Sequence, residues 1–488
     1  MADVPSFDQL YIGGKWVDPA TSDRFEVISP YTEQVIASAP AASPVDVDRA
    51  VAAARAALVD GPWATMTAAD RAGLMQNLLD LFYEKLNDLA ELITAENGAP
   101  LLFSHLGQVG ATGMVLDYFV NLTKSYAFEE VRQGFMGPSL VRKEPVGVVA
   151  GIIPWNVPLF ITMLKLGPTL ASGSTMVLKP APETPVSALV LAQMMDEVGF
   201  PAGVFNVVPA DRESGESLVT HRDVDKVSFT GSTAAGRHIG ALCAQQLKRC
   251  TLELGGKSAA IILDDADVAT IVPELLPNAI MNNGQACVAQ TRILASRERY
   301  DDVVEAFTEE MRKLVVGDPA NMETAVGPLV AERQRDRVEG YIAKGREEGA
   351  RVTIGGGRPA DQPTGWFVEP TLFADVDNSM VIAQEEIFGP VVAVIPFDDE
   401  ADAVRIANDS DYGLSGSVWT SDVEAGIDVA RQVRTGTYGI NQFGTLDMRN
   451  PFGGFKSSGV GRELGPEGLS AYLETKSIVL PGDYTPPA

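Results

Sequence analysis

From residue 146 onward, short β-branched runs alternate with helical patterns at a regular pace, and this rhythm leaves few folds open. The run VGVVAGII (146–153) leads to a helical pattern near 158–171, then to TMVLKP (175–180) and the helical pattern SALVLAQMMDEVG. VFNVVPA, DKVSFTG and the helical STAAGRHIGALCAQQL continue the series. Strands separated by single helices build a parallel sheet covered on both faces, a doubly wound nucleotide-binding pattern whose ligands lie at the carboxyl ends of the strands. After RCTLELGGKSAAIIL (249–263) a second alternating series runs to about 456. A chain of 488 residues exceeds what one hydrophobic core holds. The expected fold class is therefore α/β, with two doubly wound domains. The first takes 1–121 and 146–255 and binds the nucleotide; the second, 256–455, carries Cys287. Residues 122–145 and 470–488 fit neither series and are predicted to be extended β-arms.

Ahead of the first strand, SPVDVDRAVAAARAAL (43–58) joins a Ser-x-x-Asp capping box to apolar residues at helical spacing. A second box, Thr67 to Asp70, opens a helix that runs to about Leu86. The charge balance is 38 − 65 = −27, which argues against nucleic acid or an anionic membrane surface as partner, because phosphate binding needs clustered Lys and Arg. Three cysteines cannot build a disulfide framework, which points to a reducing compartment. The three histidines show no zinc-site spacing, so no metal is expected. The acidic start MADVPSFDQL lacks the basic and apolar regions of a secretory signal. The apolar stretch 146–164 is long enough to span a bilayer, yet Pro154, Asn156 and Pro158 interrupt it. It reads as a strand, a loop and a helix start, and the expected location is cytoplasmic.

Chemistry concentrates in a few places. Cys287 sits in NNGQACVAQTR (282–292), a loop-like approach rather than an apolar helix. A single cysteine is most often a small buried hydrophobe. Glu253 interrupts an apolar strand just before Gly255 and Gly256, where a carboxylate is costly unless paired, solvated or protonated. Asn156 follows a strand end between two prolines, Lys179 ends another strand, and FTGSTAAG (229–236) places Gly231 and Gly236 at a strand-to-helix turn. Each has an ordinary structural explanation by itself. Together they supply a nucleophile, a base, an oxyanion donor and a dinucleotide cradle.

The motifs IIPWN, LKP, FTGS, LELGGK, GQAC, EEIFGP (385–390) and PFGGFKSSGVGRELG (451–465) resemble, in order and spacing, the signatures of the NAD(P)-dependent aldehyde dehydrogenase superfamily. The resemblance runs from YIGGKWVDP to YLETKSIVLP. It implies that Cys287 is the nucleophile, Glu253 the general base, and Asn156 with the Cys287 backbone N–H the oxyanion hole. Lys165 and Glu463 match positions of a proton relay behind Glu253. Lys179 and Glu386 are implied at the cofactor riboses, Phe388 at the nicotinamide half, and Gly231 and Ser232 at the pyrophosphate. Ile152, Pro154, Trp155, Pro182, Glu183, Phe229, Gly236, Leu254 and Gly255 complete the implied cofactor surface. Val157, Phe160, Ile161, Leu164, Phe443, Leu446 and Phe452 line the implied aldehyde tunnel, with Ala286 and Val288 beside the thiol. The cofactor is NAD by this resemblance. The Glu that NAD-preferring members often carry three residues after the lysine is Pro182 here, with Glu183 next to it, which leaves room for NADP.

The expected activity is oxidation of an apolar or aromatic aldehyde to its acid by a homodimer or homotetramer. Three other readings are distinguishable. A CoA-acylating semialdehyde dehydrogenase generally lacks the hydrolytic glutamate. A non-catalytic structural member of the fold does not need the Cys, Glu and Asn set. A cofactor-free cysteine hydrolase needs a histidine partner for its thiol, and His105, His221 and His238 lie outside the motifs. Arg449, three residues before Phe452, is the one nearby cation that would favour a carboxylate-bearing aldehyde.

Overall fold

A computed structural model of the protein describes residues 4–443, 447–482 and 484. Two large sheets dominate it. The first has eight strands, and at its centre Val148–Ile152 lies between Thr175–Lys179 and Lys226–Thr230, all parallel. Arg249–Glu253 extends this parallel block on one side. The register sets Ile152 beside both Lys179 and Phe229, and Thr230 beside Glu253, so the motif residues share one strand-end edge. Two short N-terminal strands, Leu10–Ile12 and Lys15–Val17, close the far edge. The second sheet has seven strands with parallel Ala259–Ile262, Arg292–Ser296, Val391–Phe397 and Gly416–Trp419 at its heart. The chain then returns to the first sheet, where Gly459–Val460 pairs antiparallel with Arg249–Glu253.

Local signals translate directly into elements. Both capping boxes form, at Ser43 before the Pro44–Val59 helix and at Thr67 before the Ala68–Glu84 helix. The bilayer-length apolar stretch becomes the buried Val148–Ile152 strand, a loop, and the Pro158–Ser172 helix with proline in its first turn. Among the described residues, no helix is long and apolar enough to cross a membrane.

The expected arms come together as one three-stranded antiparallel sheet, in which Gly137–Pro145 lies between Glu129–Gly134 and Leu473–Val479. The first segment becomes extended later than 122, because the Ala111–Ser125 helix continues to Ser125. Among the described residues neither outer strand has a further partner, and Phe135 and Met136 stand exposed at the hairpin tip.

Candidate active site

The approach to Cys287 is a built turn, not a helix end. The helix predicted from the sequence over 268–283 ends at Ala279, and Asn282, Asn283 and Gly284 all take left-handed φ values of 54°, 61° and 74°. Asparagine tolerates this region better than most residues. Here both side-chain amides also donate to backbone carbonyls. Asn283 donates to the carbonyls of Gly98 and Pro328 at 3.0 and 2.9 Å and accepts from the Gly327 N–H at 2.7 Å. Asn282 donates to the Asn156 carbonyl at 2.9 Å. Gly284 must be glycine, since a Cβ there would lie 2.0 Å from the Gly389 carbonyl oxygen. Gln285 accepts from the Val330 N–H at 3.1 Å. The NNGQ segment is a clamp on three other parts of the chain, and the thiol inherits its rigidity.

Asn156 is held against the same turn. Its side-chain amide donates to the Gln285 carbonyl at 2.8 Å, and its own carbonyl accepts from Asn97 at 3.0 Å. A carboxamide has two N–H groups, so one remains to face a ligand.

Cys287 lies where two cavities meet; both are also lined by Asn156, Ile161, Thr230 and Leu254. The first, about 240 Å³, is bounded by Pro154, Trp155, Gly231, Ser232, Gly255, Glu386 and Phe388. Gln334 and Arg337, not foreseen from sequence, close it. The second, about 340 Å³, is lined by the expected tunnel residues Val157, Phe160, Ile161, Leu164, Ala286, Val288, Phe443 and Phe452. Leu446 lies outside the described residues. Phe103, Gly107, Met114, Met281, Leu414 and Met448 add to this wall without having been predicted. Arg449 lines a neighbouring polar cavity instead, beside Asp117, Tyr118 and Asp447.

The glycines shape the first cavity by what they let approach. A Cβ on Gly231 would lie 2.5 Å from the Phe229 ring, one on Gly236 2.3 Å from Leu254, and one on Gly255 2.5 Å from a Glu386 carboxylate oxygen. Gly236 therefore serves helix packing, while Gly255 lets Glu386 seat against the backbone and accept from the Gly256 N–H at 2.9 Å. Ser232 caps the Thr233–Gln245 helix, whose first turn carries no acidic side chain, an arrangement suited to an anion. Phe388 holds a left-handed φ of 64° and meets Trp155 edge-on, ring centroids 5.4 Å apart. Ile152, Phe229, Lys179, Pro182 and Glu183 stand back from this wall. Lys179 donates to the Pro180 carbonyl at 3.3 Å, and burial lowers its ammonium to about 8. Glu183 is ion-paired with Arg333.

Two acids and a thiol are electrostatically unusual. Among the described residues, both Glu253 carboxylate oxygens are buried without a hydrogen-bond partner. Burial, and then the charge of Glu463, raise its proton affinity well above the ordinary carboxyl range, against the pull of Lys165 and Arg462. Lys165 is 0% exposed and donates to Glu463 at 2.7 Å and to the Thr230 hydroxyl at 2.8 Å. Burial, helped by Glu386 and Glu253, pushes the Cys287 thiol up to about 12, although the N–H groups of Cys287 and Val288 oppose it. Burial likewise raises Glu386 to about 7. A thiol so strongly protonated becomes nucleophilic only once it loses its proton.

The profile of the aldehyde dehydrogenase family matches residues 16–478. The chain belongs to the aldehyde dehydrogenase family. Geranial dehydrogenase from Castellaniella defragrans is 45% identical over 97% of this chain and 98% of its own length. The Mycobacterium tuberculosis aldehyde dehydrogenase complexed with NAD+ is 50% identical, with a TM-score of 0.97 over 99% of this chain and 100% of that one. A mutant aldehyde dehydrogenase C from Pseudomonas syringae, complexed with NAD+ and octanal, is 40% identical with a TM-score of 0.94 over 97% and 96%. The aldehyde dehydrogenase fold expected from the sequence motifs is thus the fold observed.

Proposed function

We propose that this aldehyde dehydrogenase oxidises an apolar or aromatic aldehyde to the carboxylic acid with NAD+, through a thioester on Cys287. One observation carries the reading: the thiol lies at the junction of an anion-suited cavity and an apolar one, with an unpartnered buried carboxyl alongside. The first cavity suits a dinucleotide, because the glycine-opened seat of Glu386 and the acid-free helix start offer groups for ribose and pyrophosphate. The NAD+ complexes of the Mycobacterium and Pseudomonas proteins support that assignment.

The Cys287 sulfur adds to the carbonyl carbon as its proton leaves to solvent water, and the carbonyl π electrons move onto the oxygen. Asn156 and the Cys287 N–H hold the oxyanion that forms, and each such donor is typically worth about 3 kcal/mol. NAD+, seated against Glu386 and the Gly231–Ser232 turn, would supply the acceptor for the hydride lost from that carbon. Glu253 then deprotonates the water that hydrolyses the thioester. Lys165 and Glu463 pass the proton onward from the buried site. Retention of Glu253 disfavours transfer to CoA.

The second cavity is lined by aliphatic, aromatic and methionine side chains, apart from Asn156, Thr230, Glu253 and Glu463 on its floor near the thiol. Octanal in the Pseudomonas complex and geranial as the namesake substrate of the Castellaniella enzyme fit the same preference. Each methylene buried there contributes roughly 0.8 kcal/mol, or about fourfold in kcat/KM if fully expressed in the transition state. Reduced-nicotinamide absorbance across an aldehyde panel should show kcat/KM climbing from acetaldehyde towards hexanal or benzaldehyde. Val157→Phe should depress the larger substrates much more than acetaldehyde. A best rate on succinic semialdehyde, or an unchanged size profile in that variant, would sink the reading.

For the cofactor, NAD+ should be preferred, with measurable NADP+ activity. Glu183 reaches a ribose only by leaving Arg333, an arginine that would suit a 2′-phosphate. A clear NADP+ preference in kcat/KM would show that Arg333 reads the ribose. The open three-stranded sheet should pair with another copy, because uncovered strand edges invite association. A dimer or a dimer of dimers is expected by light scattering, and a clean monomer at micromolar concentration would refute it.

A further inference from the structure

Cys243 and Cys250 have no part in the reaction above. Cys243 is fully buried in the last turns of the Thr233–Gln245 helix, and Cys250 is half-buried near the start of the Arg249–Glu253 strand. The two side chains pack in one core cluster, Cys250 against the group that holds Cys243, near enough for each thiol to shift the other's proton affinity. Between them the chain reverses through an exposed turn, with Leu247 at a left-handed φ of 56° and 92% exposed. Lys226, on the adjacent strand one residue from the direct partner of Cys250, is buried; its ammonium donates to Thr251 at 2.7 Å and lies over the Tyr472 ring.

We propose that Cys243 and Cys250 form a redox-active dithiol, separate from the catalytic centre, that hydroperoxides convert to an internal disulfide. The Cys250 sulfur attacks one peroxide oxygen, the O–O bond breaks, and the departing oxygen leaves as water, giving a sulfenic acid. The Cys243 sulfur then attacks that of Cys250, the S–O bond breaks, and a second water leaves. Two thiols lose two electrons and two protons, and one hydrogen peroxide becomes two waters. The order of attack follows from the surroundings. The neighbouring Cys243 thiol, and the Lys226 ammonium, favour the Cys250 thiolate against the cost of burial, while the same neighbour and burial keep the Cys243 thiol protonated. Cys287 has the opposite environment, with burial pushing its thiol up to about 12, and the thiolate is the reactive form.

The test is a hydrogen peroxide titration of the full-length protein at neutral pH, alkylation of remaining thiols, and tryptic peptide mapping without reductant. Trypsin cuts after Lys248 and Arg249, between the two cysteines. Peptides 238–248 and 250–257 should appear joined, two hydrogens lighter than their sum, and dithiothreitol should separate them. Free thiols should fall from three to one. In Cys243→Ser, Cys250 should stop at a sulfenic acid trapped by dimedone. The proposal is overturned if both peptides stay fully alkylated while Cys287 oxidises, if Cys250 links to another subunit, or if the variant gives no dimedone adduct.

Discussion

Cys287→Ala is expected to abolish aldehyde-dependent reduction of NAD+, with a loss of about 10⁴-fold or more, the scale on which removal of a covalent nucleophile acts. Fold and cofactor affinity should persist. The turn that positions residue 287 is held by the side chains of Asn282, Asn283 and Gln285, not by the thiol. Fluorescence titration with NAD+ and far-UV circular dichroism check both points. Substantial turnover by this variant, or complete loss from Cys243→Ala instead, would remove Cys287 from the mechanism.

Glu253→Gln should separate the two halves of the reaction. Only deacylation needs an activated water, so hydride transfer should survive better, and the steady rate should fall about 10²- to 10⁴-fold. A burst of reduced cofactor should precede that slow rate in stopped flow. If no burst appears and hydride transfer is itself lost, Glu253 acts earlier, by taking the Cys287 proton. The same substitution carries a stability signature. Because the folded protein raises the proton affinity of Glu253, the carboxyl is best tolerated at low pH, and stability falls as pH rises through its folded value. Glutamine removes that charge cost. The variant should therefore gain thermal stability over the parent at pH 9 and little at pH 5. In the parent, kcat should increase with pH as Glu253 ionises, because deacylation needs its carboxylate.

What the sequence made legible was local. Strands, capping boxes and proline-broken segments rest on residues near one another in the chain, and the Val148–Ile152 strand and Pro158–Ser172 helix follow from them. The motif residues could be placed at one edge because parallel strands end together. What escaped was tertiary. Phe103, Gly107 and Met114 reach the tunnel from a helical stretch containing a π-helical segment, Ser104–Gly110, and no period in the sequence marks which of its faces meets the thiol. Arg333 lies 150 residues from Glu183, so their ion pair could not be foreseen. Asn282 and Asn283 read only as turn formers. Their role as a clamp depends on carbonyls at Gly98, Asn156 and Pro328, which only the fold brings near.

The central claim is that the aldehyde carbon becomes bonded to the Cys287 sulfur and that Glu253 releases it. Intact-protein and peptide mass spectrometry of Glu253→Gln, quenched with acid after mixing with NAD+ and octanal, measures this directly. The account predicts an octanoyl group on the peptide carrying Cys287, in amounts matching the burst of reduced cofactor and absent when NAD+ is withheld. Reduced cofactor formed in stoichiometric amount with Cys287 unmodified, or an acyl group on another residue, would contradict it.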